Sequence, residues 1–290
     1  MNFNNKPRFK YDHFTTKFLP QICNLVTMKL HFFKYQGAGN DFILVDNRNG
    51  GLDHQNPALI QRICDRRFGI GADGMMFLQT KDGYDFEMVY YNADGNPSSM
   101  CGNGGRCIVA FAKSLQLIDT EANFLAVDGP HYAKISDSGN WVSLQMIDVE
   151  RVDTDGNAYV LNTGSPHYVE AVSQLSMKDV FTDGRSIRNN NTYKTEGINI
   201  NFVEDMSDHY FVRTYERGVE DETFACGTGA TAVALAMAKH KQQLGDINTP
   251  IKVMGGELNI KFNYDGATFK NIFLEGPAKF VFEGEISISV

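Results

Sequence analysis

The sequence of 290 residues contains no long hydrophobic run, and its longest mainly aliphatic stretch covers only residues 230–238. A helix that spans a bilayer needs roughly 20 apolar residues, so we expect no membrane span. Basic residues are also scarce, with 27 Lys and Arg against 35 Asp and Glu and a net charge of −8. This balance argues against nucleic acid or an anionic membrane surface as the main partner. The default expectation is an enzyme that acts on a small molecule.

Cysteine is likewise too scarce for a disulfide framework. The five cysteines are scattered, and an odd number cannot pair completely within one chain. Reduced thiols in the cytoplasm fit better. The first residues lack the apolar segment of a secretory signal, and globular patterning starts near Met28. We therefore expect residues 1–27 to be an N-terminal extension that is disordered or an artefact of the start codon.

The length suggests two domains, and the chain carries two copies of one pattern. In the first copy a strand ends at Asn92, a polar loop follows, and C-G-N-G starts a helix at Cys101. In the second copy a strand ends at Glu216, and C-G-T-G starts a helix at Cys226. Both helices are apolar on nearly every side, which is typical of a helix enclosed by other structure. Each is expected to be the central helix of its own domain.

A third helix is predicted at residues 57–68. Apolar residues recur there at helical spacing, and Gly69 closes the segment.

The two C-G-x-G helix starts have a definite chemistry. A helix start leaves backbone N–H groups unpaired and carries about half a positive charge, and glycine lets a ligand approach that backbone closely. Such a start binds anions. A cysteine directly before it has its thiolate stabilised, so its pKa is expected to fall below the roughly 8.5 of a free thiol. Two such starts predict two thiols, Cys101 and Cys226, and donors that converge on one carboxylate.

Roles besides catalysis are also compatible with these motifs. Taken singly, each motif fits a glycine-permitted turn beside a buried cysteine. A metal site is disfavoured, because Cys101 and Cys107 are six positions apart and no histidine or second cysteine stands at ligand spacing. A redox pair of Cys101 and Cys226 stays open, although the C-x-x-C motif usual for such a pair is absent. The duplication favours catalysis.

Paired thiols across a bound carboxylate suit inversion of the neighbouring stereocentre. One thiolate removes the α-hydrogen from one face and one thiol delivers a proton to the other, with the roles exchanged in the reverse direction. The charge of the carbanion spreads onto the carboxylate oxygens, where the loss of one preorganised donor typically costs about 2.7–4 kcal/mol. Donors from two helix starts can therefore contribute substantially to stabilising the carbanion.

Six stretches in order along the chain carry a family resemblance. They are G-A-G-N-D-F (37–42), G-I-G-A-D-G (69–74), N-A-D-G-N-P-S-S-M-C-G-N-G-G-R-C (92–107), G-S-P-H (164–167), E-G-I-N-I-N-F-V (196–203) and Y-E-R-G-V-E-D-E-T-F-A-C-G-T-G (215–229). On these stretches the chain resembles the diaminopimelate epimerase family, whose members are amino-acid epimerases that use no pyridoxal phosphate. The stretches cover nearly everything after Met28, and jointly they are highly specific.

The resemblance implies roles for individual residues. Cys101 and Cys226 would be the two acid/base residues, and His167 and Glu216 would lie near the thiols and bias their protonation. No metal, flavin or pyridoxal phosphate would be needed. The helix-start donors to the reacting carboxylate would be Gly102, Asn103, Gly227 and Thr228. The reacting ammonium would be held by Asn92, Glu216 and the main chain of Arg217. The distal carboxylate would be held by the Arg217 guanidinium, Asn199 and Asn92, and Asn40 would be a further substrate contact.

Some of these residues also fit simpler structural roles. Asn40 in G-N-D is by itself typical of a turn, and His167 could be a hydrogen-bonded loop histidine. Glu216 and Arg217 could form a surface ion pair of little energetic weight. Glu216 and Arg217 stand at the end of the strand that leads to Cys226, and this position favours a role in the substrate site over a surface ion pair.

The chain departs from the family pattern at two positions. Many members have Gln where this chain has Gly74, so that side-chain contact is missing. Many have Asn where this chain has Ser165, which is shorter and lacks an amide, so one expected contact to the distal carboxylate is in doubt. Neither departure involves the thiols.

The resemblance implies an α/β (α+β) fold with two pseudo-symmetric domains, each a curled, mostly antiparallel sheet or barrel around a central helix. The expected domains are residues 28–146 and 147–275, with the C-terminal strand 276–290 crossing back to the first. The expected reaction interconverts LL- and meso-diaminopimelate for lysine and cell-wall precursor synthesis, in a homodimer that binds neither nucleic acid nor membrane.

Two rival functions remain at this stage. One is another two-cysteine racemase, acting on proline or hydroxyproline, although a monocarboxylate would leave the clamp of Arg217 and Asn199 unpaired. The other is a non-catalytic thiol redox or binding protein on the same fold.

Overall fold

The computed structural model describes residues 27–52, 54–98 and 100–289, so the extension predicted before this part of the chain, with Cys23, lies outside the described residues. Within the described ranges 17 strands form one continuous sheet. The helices are α1 (Pro57–Cys64), α2 (Gly102–Ser114), α3 (Val180–Arg188) and α4 (Gly227–His240), and a 3₁₀ turn covers Leu175–Met177. The strands before α3 are β1 (Thr27–Gly37), β2 (Asn40–Asp46), β3 (Gly74–Gln79), β4 (Phe86–Asn92), β5 (Glu121–Ala126), β6 (Gly129–Ile135), β7 (Trp141–Gln145), β8 (Val152–Asp155), β9 (Ala158–Asn162) and β10 (Pro166–Ala171). The later strands are β11 (Asn199–Asp205), β12 (Tyr210–Glu216), β13 (Asp221–Thr223), β14 (Gly245–Val253), β15 (Gly256–Tyr264), β16 (Phe269–Pro277) and β17 (Lys279–Ser289).

The sheet consists of two repeats with the same order of pairings. In the first repeat, β1 to β7 pair in sequence as antiparallel, parallel, antiparallel, parallel, antiparallel and antiparallel neighbours. The second repeat follows the same order through β9, β10, β11, β12, β14, β15 and β16. Parallel neighbours need a crossover, and the helices lie in these crossovers: α1 and α2 in the first repeat, α3 and α4 in the second.

The repeats are joined by reciprocal exchange of strands. Their last strands, β7 and β16, pair with each other. The strand that follows each repeat adds to the first strand of the other, so that β8 pairs with β9 and β17 returns to pair with β1. The predicted α/β class, with two repeated, mostly antiparallel halves, is confirmed, whereas the boundaries after residues 146 and 275 remain a prediction.

Each repeat encloses its central helix. In α2 the side chains of Ile108, Val109 and Phe111 are fully buried within the core of the first repeat. In α4 every residue from Ala230 to Ala238 is buried within the core of the second repeat. The shorter helices α1 and α3 belong to separate apolar clusters outside these two cores. No helix in the described ranges is long and apolar enough to cross a membrane.

The helix predicted at residues 57–68 is shorter than expected. It ends at Cys64, because Asp65 takes an extended backbone and its carboxylate accepts the N–H groups of Arg67 and Phe68. Phe68, expected on the apolar face, is 84% exposed. The chain turns back so closely that a Cβ on Gly69 would lie 2.2 Å from the Arg62 carbonyl oxygen.

Candidate active site

The two C-G-x-G segments meet at the junction of the repeats. Cys101 and Cys226 are the residues immediately before α2 and α4, and both have extended backbone. The first residues of the two helices are in contact, since a Cβ built on Gly102 would lie 3.7 Å from the Gly227 Cα. The two thiols therefore lie at one junction, and they influence each other electrostatically.

The starts of α2 and α4 differ from those of the outer helices. In α1 the Asn56 side chain accepts the N–H of Leu59 at 3.1 Å, and in α3 the Asp179 side chain accepts the N–H of Thr182 at 3.0 Å. Neither α2 nor α4 has a side-chain cap of this kind. Their first-turn N–H groups are therefore not occupied by a side-chain cap, and uncapped helix starts of this kind can bind an anion.

The pKa values of the thiols differ from the expectation. Burial raises the pKa of Cys101, and the charge of Glu216 adds to this, although the backbone N–H groups of Gly104 and Asn103 lower it. Burial and Glu216 also raise the pKa of Cys226. The prediction of lowered pKa values is therefore wrong, because the loss of hydration outweighs the helix field.

Glu216 lies close to both thiols. It is the last residue of β12, and its carboxylate accepts a hydrogen bond from the Thr223 hydroxyl at 2.8 Å. Burial raises the pKa of Glu216, and the charge of Asp73 raises it further. An ammonium group bound here would offset the charge of Glu216, which now disfavours both thiolates.

His167 reaches Cys226 through another side chain. The His167 Nε2 lies 2.9 Å from the Thr228 hydroxyl, which in turn lies 3.5 Å from the Cys226 sulfur. The amide nitrogen of Asn201 donates to the other ring nitrogen at 3.1 Å, so Nε2 carries the hydrogen and donates to Thr228. Burial lowers the pKa of His167 to about 3. The ring is therefore neutral, and the Thr228 hydroxyl is free to donate to the sulfur.

Asn40 occupies the corresponding place beside Cys101. Its amide oxygen lies 3.7 Å from the Cys101 sulfur and accepts from the Asn103 amide at 3.3 Å. Its amide nitrogen donates to Asp73 at 2.6 Å. The Asn103 amide also donates to the carbonyl of Ala225 at 2.9 Å, in the other repeat. Asn40 therefore contacts Asp73, Cys101 and Asn103.

A second polar cluster lies at the end of β12. The Asn199 amide oxygen accepts the main-chain N–H of Arg217 at 2.9 Å, and its nitrogen donates to the Ser165 hydroxyl at 2.9 Å. The Arg217 guanidinium donates to the same hydroxyl at 3.3 Å. Ser165 therefore belongs to this cluster despite its shorter side chain.

A neighbouring ring occupies the space beside Gly74. Gly74 pairs with Asn92, which is exposed at the end of β4. A Cβ on Gly74 would lie 2.5 Å from a ring carbon of Tyr90 and 2.6 Å from the Tyr91 carbonyl oxygen. The Tyr90 ring thus fills the space beside residue 74.

Sequence reasoning assigned no role to three residues that organise the site. Asp73 holds Asn40, Asn201 fixes the orientation of His167, and Arg106 donates to the Asn103 amide oxygen at 3.0 Å. One signal was available: Asn199 and Asn201 are two positions apart on β11, which places them on the same face of the sheet.

Solved structures with this fold include several epimerases and related proteins. A phenazine biosynthesis protein of the PhzF family from Bacillus anthracis matches with a TM-score of 0.69 at 14% identity, covering 90% of this chain and 100% of that one. A hydroxyproline epimerase from Agrobacterium vitis, with bound trans-4-hydroxy-L-proline, matches with a TM-score of 0.64 at 11% identity, covering 90% and 93%. At these identities the likeness shows the fold alone.

The sequence comparisons are more specific. A diaminopimelate epimerase from Flavobacterium psychrophilum is 54% identical over 260 residues, covering 89% of this chain and 100% of the relative. A diaminopimelate epimerase from Chlorobaculum tepidum is 41% identical over 266 residues, covering 87% and 99%. The family profile described as diaminopimelate epimerase matches residues 32–152 and 159–281. With these matches and both cysteine-bearing helix starts in place, the chain belongs to the diaminopimelate epimerase family.

Proposed function

We propose that this chain is an isomerase that interconverts LL- and meso-2,6-diaminopimelate, with Cys101 and Cys226 as its acid/base pair. The observation that carries the proposal is the meeting of the two uncapped helix starts, each preceded by a cysteine. Family membership and the names of the relatives support the choice of substrate.

The reacting carboxylate binds at the starts of α2 and α4. There the N–H groups of Gly102, Asn103, Gly227 and Thr228 stabilise the charge that develops on its oxygens as the α-hydrogen leaves. One cysteine, as thiolate, takes this hydrogen as a proton, and the other gives its S–H proton to the opposite face of the carbanion. Atoms and charge balance, because the thiol and thiolate have exchanged places at the end. The chemistry requires no metal, flavin or pyridoxal phosphate.

Substrate binding also sets the protonation of the site. The reacting ammonium pairs with Glu216, with Asn92 and the main chain of Arg217 as further contacts. This pairing neutralises the carboxylate that raises the pKa values of both thiols. Thiolate formation is thereby favoured once substrate is bound.

The far end of the substrate is recognised by the cluster at the end of β12. The Arg217 guanidinium and the Asn199 amide, with Asn92, hold the distal carboxylate, and the Ser165 hydroxyl adds a donor between them. A proline-type substrate has no second carboxylate and would leave this cationic cluster unpaired. The cluster therefore favours diaminopimelate over the monocarboxylate substrates of related racemases.

The same proposal includes a homodimer in the cytoplasm. Within the described residues β17 pairs on one side only, with β1, and its exposed apolar side chains are Phe280, Val281 and Phe282. An exposed strand edge is a template for pairing with another chain, and exposed apolar side chains mark interaction surfaces. Sedimentation velocity at micromolar concentration should give a mass of about twice 32.4 kDa, and Phe282→Lys should shift it toward the monomer. A monomeric native protein would contradict this part.

The test of the activity follows solvent hydrogen. In D₂O under reducing conditions, LL-diaminopimelate should be converted to the meso isomer with one deuterium at the inverted centre, because removal and return of the proton use different thiols. Proline and hydroxyproline should be poor substrates. Comparable turnover of proline would instead assign the chain to the monocarboxylate racemases.

A further inference from the structure

A directed chain of hydrogen bonds runs beside Cys101. At one end the Arg106 guanidinium donates to the Asn103 amide oxygen at 3.0 Å. The Asn103 amide nitrogen donates to the Asn40 amide oxygen at 3.3 Å, and the Asn40 amide nitrogen donates to the Asp73 carboxylate at 2.6 Å. The chain therefore starts at a cation and ends at an anion, with two amides between them.

The two ends fix the direction of both amides. A guanidinium only donates, and a carboxylate only accepts. The Asn103 atom bonded to Arg106 must therefore be its oxygen, and the Asn40 atom bonded to Asp73 must be its nitrogen. If the Asn40 amide turned round, its oxygen would face the Asp73 carboxylate and its nitrogen would face the Asn103 nitrogen. Both hydrogen bonds of Asn40 would then be lost.

Asp73 is itself held by two further donors. The oxygen that accepts from Asn40 also accepts the main-chain N–H of Asp41 at 3.1 Å, and the second oxygen of the carboxylate accepts from Arg66 at 2.7 Å. Arg66 also pairs with the Asp41 carboxylate at 2.6 Å. The position of the Asp73 carboxylate is thus fixed, although Asp73 lies at the surface.

The direction of the Asn40 amide matters for the Cys101 thiol. The Asn40 oxygen lies 3.7 Å from the Cys101 sulfur and can only accept, so it bonds to the sulfur through the S–H. A hydrogen bond made to the neutral form of a group favours that form. The neighbour of Cys226 is different, because the Thr228 hydroxyl at 3.5 Å can donate to the sulfur.

We propose that Asp73 is a positioning residue for the reaction, which directs the Asn40 oxygen at Cys101 and so keeps the S–H aligned as a proton donor. Asp73 acts through Asn40 rather than on the sulfur itself. The proposal rests on the proposed function only in treating Cys101 as a reacting thiol. Its direct readout is the reactivity of that thiol, which does not require turnover.

The test compares Asp73→Leu, which removes the acceptor, with Asp73→Asn, which keeps an acceptor and removes the charge. The amide oxygen of the Asn variant should stay where the Asp41 N–H and the Asn40 amide both donate. Iodoacetamide alkylation of Cys101 and Cys226 at pH 8 is followed by mass spectrometry of the peptides. In Asp73→Leu the rate at Cys101 relative to Cys226 should rise about threefold to tenfold, the equivalent of one hydrogen bond, because the thiolate is the reactive form. In Asp73→Asn this ratio should stay near the native value.

The two variants separate the acceptor from the charge. The charge of Asp73 also raises the pKa of Glu216, whose own charge acts on both thiols. An equal rise in the Asn and Leu variants would therefore assign the effect to charge and overturn the proposal. No rise in the Leu variant would also overturn it.

Asn40→Ala tests the path from Asp73 to the thiol and does not depend on the folding of Asp73→Leu. It removes the amide and leaves the bonds of Asp73 with Asp41 and Arg66 in place. The Cys101 rate should rise as in Asp73→Leu, and adding Asp73→Leu to Asn40→Ala should change it little further. Additive effects would show that Asp73 acts by another route, and an unchanged Cys101 rate in Asn40→Ala would also overturn the proposal.

Asp46→Leu is the matched control. Asp46 is likewise a carboxylate paired with an arginine, Arg48 at 2.6 Å, but it lies at the opposite end of β2 from Asn40. Its loss should leave the ratio of the Cys101 and Cys226 rates unchanged. A rise equal to that in Asp73→Leu would show that the loss of any paired carboxylate alters the thiol, and it would overturn the proposal.

Epimerisation of diaminopimelate supplies a second readout. In Asp73→Leu, kcat should fall about threefold to tenfold, because the S–H of Cys101 is no longer aligned, and Asp73→Asn should stay near native; an unchanged kcat in the Leu variant would overturn the proposal. If native protein does not epimerise diaminopimelate but the alkylation ratios are as expected, the proposed function fails and the role of Asp73 stands. If native protein epimerises and the Leu variant alkylates like native protein, the role of Asp73 fails and the proposed function stands.

Discussion

Gly102 and Gly227 face each other where α2 and α4 begin. A Cβ on Gly227 would lie 3.5 Å from the Gly102 Cα, and a Cβ on either glycine would lie 2.8 Å from the same methyl group of Leu274. Leu274 is fully buried in β16 and has little freedom to move. Close packing thus favours glycine at both positions.

Gly227→Ala should wedge the two helix starts apart. Overpacking of this kind typically destabilises the folded protein by about 1–3 kcal/mol. The displaced N–H donors should also lower kcat, even under conditions in which the variant is fully folded. Urea denaturation and steady-state kinetics measure the two effects. Adding Leu274→Val should recover part of both losses, because it removes the nearest obstructing methyl group. Purely additive effects of the two changes would show that the contact is not the cause.

Cys101→Ala and Cys226→Ala should each abolish epimerisation. Positioned acid/base groups contribute about 10²–10⁴-fold, and each thiol is needed in every turnover. The variants should keep the native circular dichroism spectrum, since both positions lie at helix starts and contribute little to the core.

Cys64→Ala and Cys107→Ala are the matched controls. Both side chains are buried, and neither stands directly before a helix start: Cys64 ends α1 and Cys107 lies within α2. They should retain most activity. An essential Cys107 beside a dispensable Cys101 would contradict the assignment.

His167 should make the fold acid-sensitive. Burial lowers its pKa from 6.5 to about 3, so the unfolded chain binds a proton in this interval while the folded chain does not. The stability contributed by the neutral ring is present above pH 6.5 and falls by about 1.4 kcal/mol per pH unit below it, until pH approaches 3. Urea denaturation at several pH values between 4 and 7 gives the free energy of unfolding at each pH. This free energy should depend less steeply on pH for His167→Gln than for native protein. Parallel slopes would mean that His167 is protonated in the folded chain.

Oxidation should inactivate the enzyme reversibly. If the two sulfurs flank one α-carbon as proposed, they lie a short distance beyond bonding range, and a modest movement of the repeats would allow a bond of about 2 Å. Such a disulfide would remove both the acid and the base. Non-reducing proteolysis and mass spectrometry of inactive protein should find a peptide that joins Cys101 to Cys226, and a thiol reductant should restore activity. Inactive protein with both thiols still open to alkylation would show that they are not neighbours.

The sequence by itself determined the repeat, the ends of the strands at Asn92 and Glu216, and the helix starts after Cys101 and Cys226. These features are encoded locally, by hydrophobic periodicity and by glycines at fixed spacing, so they can be predicted without tertiary structure. The end of α1 at Cys64 is also set by local contacts, those of the Asp65 carboxylate with the N–H groups of Arg67 and Phe68. The apolar pattern continues to Phe68, however, so the sequence predicted a longer helix.

Only the tertiary structure decided how the site works. The bonds of Asp73 to Asn40, of His167 to Thr228 and of Arg106 to Asn103 depend on orientation, and the first two join residues far apart in sequence. The direction of the thiol pKa shifts depends on desolvation, which arises only when both repeats close around the helix starts. The exchange of β8 and β17 between the repeats is likewise a long-range choice of pairing. Spacing along a chain specifies which groups occupy the helix starts, but the surroundings that set their protonation are assembled by contacts between distant segments.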